Sequence, residues 1–174
     1  MHGRFELAIG TRHRWGWRPA ELVRPFLRRN VPFAVVGGVA LSYYTHGRTT
    51  PADLDIVLGL GHRASTASSE AYSALNEIVG LGVVSGPPEF GAVAVREGVE
   101  MTFETARGTL HIVGRSAGSD SEEIVARRRW VWLDRTRLPL CQLSDLIALK
   151  ERDRREKDVR DLDLLRGLGL TSGE

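Results

Sequence analysis

Val35-Val36-Gly37-Gly38-Val39-Ala40, followed shortly by His46-Gly47-Arg48-Thr49-Thr50-Pro51-Ala52-Asp53-Leu54-Asp55-Ile56-Val57, decides the fold of this chain. Phe33 to Val36 reads as a short buried strand. Two glycines end it, and Val39 to Tyr44 reads as a helix closed by Gly47. Leu54 to Leu58 is a second strand. Asp53 and Asp55 lie two residues apart on it, so both carboxylates leave one face while Leu54 and Ile56 point into the core. Two such carboxylates repel each other unless a cation sits between them. The pair suits Mg²⁺ (or Mn²⁺), which takes a few carboxylates and completes its shell with phosphate oxygens. A glycine turn at a helix N-terminus admits an anion closely and aims unpaired N–H groups at it. Gly37 and Gly38 are therefore candidate phosphate-binding residues, and Asp53 and Asp55 candidate metal ligands. Arg48 and Thr49 join them as nucleotide-binding candidates from the loop just before the acidic pair. Alone, a Gly-Gly pair can be only a turn and an Asp-x-Asp only a solvated strand face. Gly38 and Asp53 stand 15 residues apart, joined by one helix and one loop, and that proximity ties them into one unit.

On the N-terminal side, Pro19 opens a helical pattern with Leu22, Val23, Phe26 and Leu27 on one face. Pro25 inside it predicts a kink or a late start, and Asn30 an end. On the C-terminal side, Ser68 or Ser69 can cap a helix bearing Ala71, Leu75, Ile78 and Val79, stopped by Gly82. Ala92 to Arg96, Val99 to Thr105 and Thr109 to Val113 read as strands, with Gly98 and Gly108 turning between them. Trp130 to Leu133 reads as another, its two tryptophans on a face expected to pack in the core. Ser144 is placed to cap a helix with Leu146, Ile147 and Leu149, and a last helix carries Val159, Leu162 and Leu165. This order predicts an α+β protein, a mixed sheet backed by helices. Residues 1–18 form a basic arm with Trp15 and Trp17, and 19–174 a single domain.

The 174 residues suit one domain with a normal core: 42% are hydrophobic and 26% charged. The lone Cys141 excludes an internal disulfide and a cysteine-built zinc site, and its apolar run marks a buried thiol. No apolar stretch approaches the roughly 18 residues a membrane span needs, and the arm lacks a signal-peptide core, so no membrane partner and a cytoplasmic location are expected. A net charge of +2 does not mark a nucleic-acid binder. Arg127-Arg128-Arg129 reads first as solvated surface and second as a contact for an RNA backbone. The basic residues of 152–160 are interleaved with acids and read as a salt-bridged helix.

The strand–Gly-Gly–helix–loop–Asp-x-Asp run resembles the signature of the nucleotidyltransferase superfamily, and in particular the bacterial branch of AbiEii-type toxins and their small relatives. A second stretch is similar to that branch's closing helices: Leu143 to Lys150, then Arg154-Arg155-Glu156-Lys157-Asp158, then Asp161-Leu162. The resemblance implies a nucleotidyltransferase-like mixed sheet with C-terminal helices. It implies that Lys150 reaches the phosphates of an NTP substrate, and that Lys157, Asp158 and Asp161 support the site. It also implies a catalytic set of Asp53, Asp55, Lys150 and Asp158, and an antitoxin as partner. One position departs from the pattern. Where related proteins carry a third carboxylate, in a run like Gly-x-Leu-Asp, this chain reads Gly108-Thr109-Leu110-His111. His111 can take a proton near neutrality but is a poor Mg²⁺ ligand. Glu100 and Glu104 are nearby alternatives. Two functions follow: an Mg²⁺-dependent transfer of a nucleoside monophosphate from NTP to an acceptor hydroxyl on RNA, protein or a small molecule, or a non-catalytic nucleotide- or partner-binding protein that has lost the third acid.

Overall fold

The computed structural model describes residues 17–61, 66–80, 83–85, 90–114, 121–133 and 135–171. Most of the basic arm, and the expected stop at Gly82, lie outside them. The chain runs α1 (Pro19–Arg28), β1 (Phe33–Val36), α2 (Gly37–Tyr44), β2 (Asp53–Leu58), α3 (Thr66–Gly80), β3 (Val83–Ser85), α4 (Ala92–Glu97), β4 (Met101–Thr105), β5 (Gly108–Ile112), α5 (Ser121–Arg127), β6 (Arg129–Leu133), β7 (Thr136–Leu140), α6 (Leu143–Asp153) and α7 (Glu156–Gly167). The strands make one sheet, ordered β3-β4-β5-β2-β1-β7-β6. Pairing is antiparallel except for β2 with β5 and β1 with β7, so the sheet is mixed. No helix among the described residues is long and apolar enough to cross a membrane.

The register sorts side chains onto two faces. Leu54 and Ile56 of β2 pair with Leu110 and Ile112 of β5, all fully or almost fully buried. With Phe33, Val35, Leu138 and Leu140 they make one apolar face, and Phe26 of α1 packs on Phe33 with ring centroids 5.7 Å apart. The opposite face carries Asp53 and Asp55, aligned with Thr109 and His111. Hydrophobic burial thus fixes which way the two aspartates point, because a one-residue slip would exchange the faces.

Several elements differ from expectation. α1 runs without interruption from Pro19 through Pro25, which lies buried within it. Residues 92–96 form a helix rather than a strand. Ala-Val-Ala-Val alternation suggests a pleat, but only Val95 is buried, Val93 is 62% exposed, and Gly98 closes the helix in the left-handed region at φ 68°. α3 begins at Thr66, ahead of both serines named as caps. α6 begins at Leu143 with Gln142 at its N-cap, so Ser144 lies inside the helix. Trp130 and Trp132 point out of the core, 44% and 64% exposed, while Val131 and Leu133 point in. Cys141 is buried as expected, and burial pushes its thiol pKa up.

Candidate active site

β2 delivers Asp53 and Asp55 to one face, and β1 brings the glycine turn against them: Val36 pairs with Asp55, and Gly37 follows at once. Gly37 has φ +61°, and a Cβ built there would lie 1.9 Å from Oδ2 of Asp55. Only glycine allows the turn to lie against that carboxylate. The Gly38 amide donates a hydrogen bond to Asp55, and Pro51, two residues before Asp53, packs over Gly38. The turn read from sequence as a phosphate cradle is thus also the floor on which the acidic pair rests.

β5 sets His111 directly opposite Asp55. Its Nδ1 lies 2.9 Å from Oδ1 of Asp55 and its Nε2 3.0 Å from Oε1 of Glu100. The imidazole therefore bridges two carboxylates. Its pKa is raised, first by the hydrogen bond to Asp55 and against the effect of burial. The two aspartates are shifted apart. Burial raises the pKa of Asp53, and the neighbouring Asp55 charge adds to that. Burial also works to raise Asp55, but its hydrogen bond from His111 and the nearby positive charges outweigh it, and its pKa is lowered. His111 thus lies beside Asp55, on the sheet face that carries the acidic pair. Glu104, paired with Thr109 further along the sheet, is not among the residues lining the cleft.

These groups line an open cleft of about 640 Å³. Gly37, Gly38, Thr49, Asp53, Asp55, Glu100 and His111 form its sheet side; Lys150, Lys157, Asp158 and Asp161 of the last two helices form the other. The two stretches singled out in the sequence therefore meet across one cavity. Lys150 is only 6% exposed, and its Nζ is 3.3 Å from Asp158 and 2.6 Å from Asp161. That ammonium is already engaged by two carboxylates. Lys157 is exposed, and among the described residues it has no ion-pair partner; its charge works to lower the pKa of both Asp53 and Asp55, and for Asp53 burial and Asp55 outweigh it. Lys157, more than Lys150, is the cation free to meet an incoming anion. Arg48 is exposed and lies outside the lining, as does His46, so the cation of the connecting loop does not reach the cleft. Thr49 does reach it, with its hydroxyl buried and without a hydrogen-bond partner. Arg155, read from the sequence as part of a salt-bridged helix, is ion-paired with Asp153 and Asp158. It lines the cleft and donates from Nε to Asp158 at 2.8 Å, and its backbone amide bonds the same carboxylate at 3.2 Å.

Among the described residues no group of three His, Cys, Asp or Glu side chains is arranged to hold a metal. The donor set is the carboxylate pair alone, with one oxygen of Asp55 taken by His111. Asp53, whose ionised form is penalised by burial and by Asp55, is the group a cation would relieve. A pair of this kind fits one Mg²⁺ whose remaining ligands are water and substrate phosphate.

The mixed sheet with its backing helices is a nucleotidyltransferase-like fold, shared by solved structures that include the following three. A crystal structure of lincosamide antibiotic adenylyltransferase LnuA, lincomycin-bound, aligns at a TM-score of 0.58 with 13% identity, over 87% of this chain and 94% of that one. An antigenic nucleotidyltransferase-like protein from Paracoccidioides brasiliensis aligns at 0.55 with 18% identity, over 86% and 73%. The solution structure of antibiotic-resistance factor ANT(2'')-Ia aligns at 0.51 with 13% identity, over 86% and 83%. No family model matches the chain, and no curated protein matches it in sequence.

Proposed function

We propose that this protein is a nucleotidyltransferase that moves a nucleoside monophosphate from a Mg²⁺-bound NTP to an acceptor hydroxyl. The observation that carries the reading is the meeting of Asp53, Asp55, the Gly37-Gly38 turn and Lys157 in one cleft. Asp53 and Asp55 would hold the ion, which would supply positive charge to offset the negative charge that develops on the phosphates during transfer. The helix N-terminus at Gly37 directs backbone N–H groups toward the phosphates. Lys157 supplies a mobile positive charge, and the Lys150–Asp158–Asp161 cluster holds α6 and α7 in register over the site. Within this class, the motif resemblance to AbiEii-type proteins favours a toxin role with an antitoxin partner, tested by whether induction arrests growth and Asp53→Asn relieves it.

The test of the activity is to incubate the protein with each labelled NTP and Mg²⁺ or Mn²⁺ in the presence of total RNA, protein extract or small hydroxylated acceptors. Covalent label on one acceptor, absent with Asp53→Asn/Asp55→Asn, is the expected result; label that persists in the double variant rejects the assignment. The hydrogen bond from His111 to Asp55 favours a second reading, a nucleotide-binding protein without turnover. It predicts calorimetric MgNTP binding with no transfer to any acceptor, and transfer appearing in His111→Asp.

A further inference from the structure

The sheet ends in an edge strand, β6, whose two tryptophans are among the most exposed large apolar side chains described. Trp132 is 64% exposed and pairs across the strands with Arg137; Trp130 pairs with Pro139. The guanidinium carbons of Arg128 and Arg137 lie 5.9 and 5.3 Å from the centre of the Trp130 ring. Arg127 is neutralised by Glu123 and Asp145, but among the described residues Arg128, Arg129 and Arg137 have no acidic partner. Exposed Arg135 follows in the hairpin turn. This surface joins uncovered indole with uncompensated charge of a single sign, and none of these residues lines the cleft. A protein partner would need acids or apolar groups to match it; a polyanion with flat apolar faces matches it directly. A nucleic acid has both, and a base must be unpaired for its face to reach an indole.

We propose that the outward face of the β6–β7 hairpin binds single-stranded nucleic acid, with a base stacked on Trp132 and phosphates on Arg128 and Arg137. The pairing register carries Trp132 and Arg137 onto the sheet face that bears Asp53 and Asp55, and half-buried Arg128, just ahead of β6 with Nη1 on the Val125 carbonyl, lies over the Trp130 ring beside them. β6 lies three strands from β2, about 14 Å at the usual strand spacing. A strand held there lies on the side where the cleft opens, but the binding itself does not depend on the nucleotidyl-transfer reading.

The experiment is a titration of a fluorescein-labelled single strand of roughly 12 nucleotides, as RNA and as DNA, with the full chain, followed by anisotropy and by quenching of tryptophan emission. Trp132→Ala should weaken binding about 5- to 150-fold and Trp132→Phe should restore much of it, since each base stack contributes on that scale. Arg128→Gln with Arg137→Gln should reduce the slope of log affinity against log salt by about 1.4, at about 0.7 per lost phosphate contact. A duplex of equal length should bind more weakly. MgNTP affinity measured on the same variants should stay at the parent value, which separates this outcome from failure of the cleft assignment. Unchanged oligonucleotide affinity in Trp132→Ala overturns the proposal, because binding would then be charge alone. So does the absence of oligonucleotide binding alongside self-association in sedimentation that Trp132→Ala abolishes, which would make the face a contact between copies.

Discussion

Gly37 carries more of the site than its size suggests. A Cβ there would overlap Oδ2 of Asp55, and φ +61° is a region other residues occupy at a cost of about 1 kcal/mol or more. Gly37→Ala should therefore lower unfolding stability by about 2 kcal/mol or more in urea, adding the overlap to the backbone cost. It should also reduce MgNTP affinity by moving Asp55. Gly38 is a milder case, since its Cβ would sit 3.2 Å from that of Pro51, and Gly38→Ala should fall between Gly37→Ala and the parent in both measurements. A Gly37→Ala protein with parental stability would contradict the observed approach of turn and carboxylate. Lys157 makes a second prediction at this scale. As the cleft's exposed lysine it should discriminate by ligand charge: Lys157→Ala should weaken NTP binding more than NMP binding, read by calorimetry at low salt. Equal losses would place Lys157 outside the phosphate site.

At the scale of elements, the joint between α6 and α7 is held by Asp158. It is almost wholly buried and accepts from Lys150 and from both Nε and the amide of Arg155. Removing it takes the buried acceptor from Arg155 and leaves Lys150 with Asp161 at 2.6 Å, so Asp158→Ala should cost less than the roughly 3–5 kcal/mol of an unpaired buried charge, about 2 kcal/mol. Burial works to raise the Asp158 pKa, but its bond from Arg155 and the charge of Lys150 outweigh this, and the net shift is below the ordinary 3.8. A lowered folded-state pKa stabilises the protein at pH above the unfolded value, and that contribution fades as pH falls through the folded one. Unfolding midpoints measured from pH 6 down through about 3 should drop less steeply for Asp158→Asn than for the parent. This joint was legible only in part. Lys150, Lys157, Asp158 and Asp161 stood in a recognisable pattern, but sequence spacing could not show that Lys150 is consumed by two acids while Lys157 is left open. The strand pair β1–β2 was legible because burial and alternation agree over Asp53 to Ile56. α4 was not, because four alternating small apolar residues satisfy either period until tertiary contact selects Val95. β7 was not legible because Pro139 breaks a strand pattern, yet the sheet holds this strand between β1 and β6 with Pro139 buried opposite Trp130. Trp130 and Trp132 misled because alternation gives two faces and does not say which is the core.

For the whole molecule, the start of the described chain is tied to the site from the far end of the sequence. Trp17 donates from Nε1 to the Pro51 carbonyl at 3.0 Å, and its ring packs against Gly108, where a Cβ would come within 2.9 Å. Pro51 and Gly108 lead into Asp53 and toward His111, the two sides of the acidic centre. Trp17→Ala should lower stability by about 2 kcal/mol, less than full burial of a tryptophan would give. Trp17→Phe should keep most of the packing and lose the hydrogen bond, so in thermal unfolding its difference from the parent reads that bond and its difference from Trp17→Ala reads the packing of the ring. A larger penalty for Phe than for Ala would show that the ring, not the donor, has been misjudged. The sheet order carries a further consequence, for the time at which this protein becomes whole. β1 has one neighbour close behind it in the chain, β2, and another, β7, that begins a hundred residues later, with Val35 set beside Leu140. Contacts so distant in sequence close last, since the chain must give up its freedom before they reward it. During synthesis β1 and β2 can pair while the strand destined for β1's other edge is still unmade. Until β7 emerges, that edge of a very apolar strand stands open to any other nascent chain, so the protein's yield in a cell is decided by how quickly its last third is translated and docked.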